Sequence, residues 1–218
     1  RLDDPVRTVR MEAARVLASA PEEALNESQL DSLDKAMQEY RQALMANAER
    51  AESQTSLGDL LAQSGDTAEA TKAYLKAVEL DPTFMPAYAN HADFLRRQGR
   101  DDVAEERLLA ALEVDPQSAA INHALGLTLV RRKSLDEALV HLRLASEVSP
   151  EDARYAYVYA VALESRGQLR EAIDILTTAY QRNPGNPDII TALASYHMKQ
   201  GDQEKAREYL GKLKALEQ

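Results

Sequence analysis

The residues in this chain that could carry catalytic or metal chemistry are its four histidines and its many carboxylates, since there is no cysteine. No two of His91, His123, His141 and His197 share the four-residue spacing that sets two imidazoles on one helix face, so no helical metal site is expected. Without cysteine there is no thiolate nucleophile, no disulfide and no covalent c-type haem attachment in this stretch. No glycine-rich loop follows a strand, and no serine sits in a nucleophile elbow. The carboxylates are scattered over solvent-facing positions. The reading is of a non-catalytic chain with no cofactor.

A formal charge of −10 argues against nucleic acid, because affinity for phosphate rests on Lys and Arg. It argues equally against docking on anionic lipid. No apolar run approaches the roughly 18 residues of a membrane span. The charge is uneven: residues 1–118 carry it all, while residues 119–218 hold 13 basic and 13 acidic side chains. The acidic half could steer a basic partner or simply be a set of solvated helix faces. The opening Arg1-Leu2-Asp3-Asp4, with no Met and no apolar leader, reads as the start of an excised piece, which leaves the compartment open.

The elements that would position these residues are helices. Ala and Leu supply the apolar content, with two Phe and no Trp, so helix formers outweigh strand formers. A period of 34 then organises the chain. Pro82, Pro116, Pro150 and Pro184 keep it, as do Ala36, Ala70, Ala104, Ala138, Ala172 and Ala206. So do the bulky residues four places later: Tyr40, Tyr74, Leu108, Leu142, Leu176 and Leu210. Small residues return at Ala43, Ala77, Ala111, Ala145 and Ala179. Repeats at this period stack helix pairs into a solenoid.

The columns resemble the tetratricopeptide repeat. One copy reads Leu57, Gly58, Leu61, Ala70, Tyr74, Ala77 and Pro82; another reads Leu125, Gly126, Leu129, Ala138, Leu142, Ala145 and Pro150. The resemblance implies an all-α, right-handed superhelical solenoid of antiparallel pairs, with repeats at 51–84, 85–118, 119–152, 153–186 and 187–218. Small residues at Gly58, Ala92, Gly126, Ala160 and Ala194 on each first helix let the second approach closely. Gly65, Gly99, Gly167 and Gly201 fall at the first helix's end, suited to a left-handed cap, and Lys133 breaks that column at some cost. The column the family gives to Trp holds Gln54, Tyr88, Asn122, Ala156 and Ile190 instead.

Residues 1–50 are expected to cap the array. Asp4 and Pro5 suit the start of a helix over 5–18 that resembles the second helix of a HEAT-type repeat, ended by Pro21. A second helix over 29–47, with Ser28 as N-cap, keeps Ala36, Tyr40 and Ala43 in register as the B helix of a degenerate repeat. This order, together with the run Ala153-Arg154-Tyr155-Ala156-Tyr157-Val158-Tyr159-Ala160-Val161-Ala162-Leu163, is similar to the C-terminal region of some bacterial multihaem c-type cytochromes. That resemblance implies an accessory domain of a larger periplasmic redox protein, although the haem motifs are absent; a cytoplasmic location remains open.

In the repeat family the first helix of each pair lines a concave face. Carried over position by position, that face holds Asn90, Asp93, Arg96, His123, Leu127, Val130, Tyr157, Val161 and Glu164. Its middle is apolar and aromatic, a seat for a peptide or protein segment with one apolar anchor. His123 and Tyr157 read equally as ordinary surface residues. Tyr155 and Tyr159 point elsewhere on the helix and read as core, and His91 and His197 as interior residues. The Lys/Asn clamp for C-terminal carboxylates is not reproduced. The last helix, with Leu210, Leu213 and Leu216, lacks a polar cap and offers a route to homo-oligomers.

Overall fold

The computed structural model describes residues 1–18, 21 and 24–216. Among the described residues there are twelve α-helices and no strand. They are α1 (Arg7–Leu17), α2 (Glu27–Ala46), α3 (Ala51–Gln63), α4 (Thr67–Leu80), α5 (Met85–Arg97), α6 (Asp101–Val114), α7 (Ala119–Arg131), α8 (Leu135–Val148), α9 (Ala153–Ser165), α10 (Leu169–Arg182), α11 (Pro187–Gln200) and α12 (Gln203–Leu216). From α3 onward each pair occupies one 34-residue period. The chain forms two compact units, Arg1–Phe94 and Leu95–Gln218.

In the first unit, α1 and α2 meet through Ala14 and Ala36, both nearly inaccessible, with Leu2 buried beside them. A bidentate pair from Arg10 to Glu39 at 2.9 Å ties the two helices. Asp4 accepts from the Val6 amide at 2.9 Å, but Val6 is the N-cap residue, so α1 begins two residues later than Pro5 suggests. The second helix starts earlier than expected. Asn26, not Ser28, caps it: its side chain accepts from the Gln29 amide, and the Gln29 side chain accepts from the Asn26 amide. That reciprocal arrangement satisfies two otherwise free donors, so it wins over a lone serine.

The small columns have a direct geometric cause. A Cβ placed on Gly58 would lie 2.7 Å from the Tyr74 ring, and one on Gly126 would lie 2.5 Å from Leu142 Cγ. In both pairs the large residue of the second helix occupies the place where the first helix lacks a side chain. Tyr74 and Leu142 are fully buried as a result. Tyr74 also stacks on His91 at 5.2 Å and packs on Phe94 at 5.6 Å. In the second unit the same columns, Ala160, Ala172, Leu176, Leu193 and Ala194, form one continuous core from α8 to α12.

The column that lacks Trp does a different job. Gln54 donates to the Ala48 carbonyl at 2.7 Å, Tyr88 to Pro82 at 3.2 Å and Asn122 to Pro116 at 3.1 Å. Each bond reaches six residues back and fastens the turn before the helix, giving a turn carbonyl a partner. Ala156 and Ile190 cannot make it. Between pairs, Asp81 accepts from the Thr83 amide and Asp115 from the Gln117 amide, the side-chain turn expected of Asp beside Pro.

Within pairs, five turns end alike. The amides of Asp66, Arg100, Ser134, Gln168 and Asp202 donate to the carbonyls of Leu61, Leu95, Leu129, Leu163 and His197 at 2.9–3.0 Å. This closure requires a left-handed residue one place earlier. Gly65, Gly99, Gly167 and Gly201 supply it with φ of 80°, 73°, 84° and 90°, and Lys133 adopts φ 65° in the same role. Among the described residues it is the one non-glycine with positive φ.

Gly126→Ala should destabilise by about 1–3 kcal/mol in urea unfolding, through the clash with Leu142, and trimming Leu142 to Val in the same chain should recover part of that loss. Lys133→Gly should instead stabilise by about 1 kcal/mol, since glycine adopts the left-handed turn without strain.

Candidate functional site

The second unit carries an apolar cleft of about 360 Å³. Leu127 and Val130 of α7 form one wall, and Val158, Val161, Ala162 and Ser165 of α9 form the other. Leu135 and Leu142 of α8 close the floor, and Lys133 stands in its lining from the turn between α7 and α8. Positions 127 and 130, like 158, 161, 162 and 165, lie three or four residues apart, so helical periodicity puts each set on one face. Val130 is 40% exposed and Val161 36%, so apolar surface stays open at the mouth of the cleft.

Of the nine residues expected on the concave face, Leu127, Val130 and Val161 meet in this cleft. Tyr157 is half-buried and packs against the core of the second unit. Glu164 accepts from Lys199 of α11 at 2.6 Å. Beside them the ammonium of Lys199 also lies 5.7 Å from the Tyr196 ring. Burial, with the nearby Glu164 and Tyr157, pushes the Tyr196 phenol up to about 12. Half-buried Arg96 accepts on its carbonyl from the Arg131 guanidinium at 3.3 Å. Asn90 and half-buried Asp93 belong to the first unit. There the Asn90 amide donates to Asp59 at 3.0 Å, and Asp59 also accepts from the Tyr74 hydroxyl at 2.7 Å. Asp59 therefore satisfies the polar tip of the buried Tyr74, and Asn90 holds that carboxylate in place.

His123 differs from expectation. It is 6% exposed, with its ring 4.7 Å from that of Tyr155. The position that the repeat register assigns to an open face is here covered by an aromatic side chain from α9, over which Arg154 also lies at 5.2 Å. Tyr155 and Tyr159 are buried, as are His91 and His197. His197 stacks on Tyr209 at 5.7 Å. His141 on α8 is half-buried and shares a 2.8 Å hydrogen bond with Asn122. Among the described residues no three His or acidic side chains gather as a metal-binding group, and no helix is long and apolar enough to cross a membrane.

Lys133, Leu135, Leu142, Val158, Ala162 and Ser165 line the cleft without belonging to the nine residues expected on the concave face. The signal for Lys133 was available: it is the break in the glycine column. Leu135 and Ala162 could not be found that way, because they keep the ordinary apolar and small pattern of a core.

Burial holds the His123 imidazole down, to about 4, with Arg154 adding to the shift, Asp152 opposing it and Arg96 contributing less. An unfolded histidine titrates near 6.5. The folded chain thus binds fewer protons than the unfolded chain below that value, so the neutral ring's stability is fully present above about 6.5 and is lost as pH falls toward 4. Burial lowers His141 and His197 as well, and they act in the same direction. Replacing His123 by Phe should make stability in urea less sensitive to pH between about 6.5 and 4; an unchanged slope would contradict this assignment.

Comparison with known proteins bears on the fold. Family models described as tetratricopeptide repeat match residues 51–84, 90–145 and 163–218. They match the repeat itself and give no support to the cytochrome resemblance. No curated protein matches the chain in sequence. Among solved structures, the tetratricopeptide-repeat protein YrrB, described as having an unusual peptide-binding site, superposes with a TM-score of 0.58 at 24% identity, over 80% of this chain and 90% of that one. A MamA structure superposes with a TM-score of 0.64 at 22% identity, over 74% of this chain and 94% of that one. At such identities the likeness is one of fold. With the period of 34, the five left-handed turns and the three family matches together, the chain is a member of the tetratricopeptide-repeat family.

Proposed function

We propose that the chain is a non-catalytic scaffold that binds a segment of another protein by seating an apolar side chain in the cleft between α7 and α9. The observation that carries this reading is the cleft itself. Its walls are Leu127, Val130, Val158 and Val161, and two of these side chains stay more than a third exposed although larger apolar residues beside them are buried. Apolar surface left open in a concave site is the usual seat of a ligand's anchor. The cleft is built from first helices of successive pairs, whose spacing is fixed by core contacts, so its shape requires little ordering on binding. The likeness in fold to a protein described as having a peptide-binding site supports the same class of ligand. Tyr157 and Glu164 share a face of α9 with Val161 and would flank the bound segment.

A library of random 12-residue peptides displayed on phage, selected against the full 218-residue chain, tests this. Selected peptides should share one apolar residue, and Val161→Glu should weaken them at least tenfold without changing the helical circular dichroism or the melting temperature. Failure to enrich any sequence, or binding indifferent to Val161→Glu, would contradict the assignment.

A further inference from the structure

The turn that lines the cleft is the one that departs from the glycine column. Four of the five turns use glycine for the left-handed residue, and added side chains there would meet nothing within 4 Å, so the demand is for φ alone. At the third turn Lys133 holds φ 65° although a residue without a Cβ would do so at lower cost. Backbone strain of this kind concentrates where a side chain serves a site. Lys133 is also exposed. The neighbouring cations are engaged: Arg131 with Asp101 at 2.8 Å, Arg132 with Glu105 at 3.1 Å and Arg166 with Asp136 at 2.6 Å. Among the described residues Lys133 has no carboxylate within ion-pairing distance. The cleft lining therefore combines seven apolar residues with Ser165 and with Lys133, whose ammonium is uncommitted. Ser165 spends its hydroxyl on the Val161 carbonyl at 2.9 Å, which leaves the ammonium as the side chain with free donors.

We propose that Lys133 makes the cleft selective for an acidic segment: an apolar side chain enters between α7 and α9, and an adjacent Asp or Glu of the ligand pairs with the Lys133 ammonium. The occupant is an internal stretch of a partner protein with a side-chain carboxylate next to its anchor. This deepens the peptide-binding reading and rests on it. The balanced charge of residues 119–218 places no net repulsion of acids on this part of the chain, in contrast to the acidic residues 1–118. A single exposed pair of this type is worth a two- to fivefold preference rather than a large one, and salt should screen it.

The test uses the full chain and fluorescein-labelled decapeptides with one central Leu, flanked by Glu, Gln or Lys, all amidated at the C-terminus and carrying the same label, so that the flanking side chains are the sole difference in charge. Fluorescence polarisation should rank Glu-flanked above Gln-flanked above Lys-flanked peptides at low salt, with the ranking compressed at high salt. Lys133→Gly should bring the Glu-flanked peptide down to the Gln-flanked affinity and leave the Gln-flanked peptide where it was, and Lys133→Glu should reverse the ranking. Equal binding of all three peptides by the native chain, or a Glu preference that survives Lys133→Gly, would overturn the role of Lys133 while leaving the cleft intact. Absence of binding by every Leu peptide would overturn both readings.

Discussion

The close approach of paired helices, with a missing side chain on one filled by a large side chain from the other, is the constraint on which the rest of the structure depends. Gly58 beneath Tyr74 and Gly126 beneath Leu142 show it without ambiguity, since one added carbon at either glycine would overlap its partner. Where the column holds Ala, as at Ala160 and Ala194, the residue is still almost wholly buried. Close packing at native density makes such contacts intolerant of size changes, so the inter-helix distance is fixed. Fixed distances in turn make the open cleft between α7 and α9 a property of the backbone rather than of mobile side chains.

The turns apply the same logic at the ends of helices. Each pair needs a left-handed residue to close the first helix and begin the second, and each gap between pairs needs an acceptor for the amides of the next helix. Side chains in the column that the family gives to Trp here fasten the turns by hydrogen bonds, from Gln54, Tyr88 and Asn122 to carbonyls six residues earlier. A packing contact has been exchanged for a tether. The exchange works because a turn carbonyl gains a side-chain partner.

Most of the fold was legible in the residues, because its determinants are local and recur every 34 positions. The small and large columns, the glycines at the turns and the acids before the prolines each act within one repeat or between neighbours. The first helices were less legible: Asn26 caps α2 through a reciprocal bond with Gln29 that a single-residue preference for Ser28 overlooks. The candidate site was legible in part. Leu127, Val130 and Val161 follow from register alone. His123 shares that register yet is covered by Tyr155, because coverage depends on which rotamer a neighbouring helix presents, and that is set by packing across repeats. Glu164 likewise engages Lys199 on the first helix of the next pair, a contact no spacing within one repeat announces.

The central claim, that the cleft between α7 and α9 receives the ligand's apolar anchor, is tested most directly by methyl NMR of the full chain during titration with a Leu-anchored peptide. The account predicts the largest saturable shifts at the methyls of Leu127, Val130, Val158 and Val161. Shifts confined to other exposed apolar methyls, such as those of Val16 and Leu210, would contradict it.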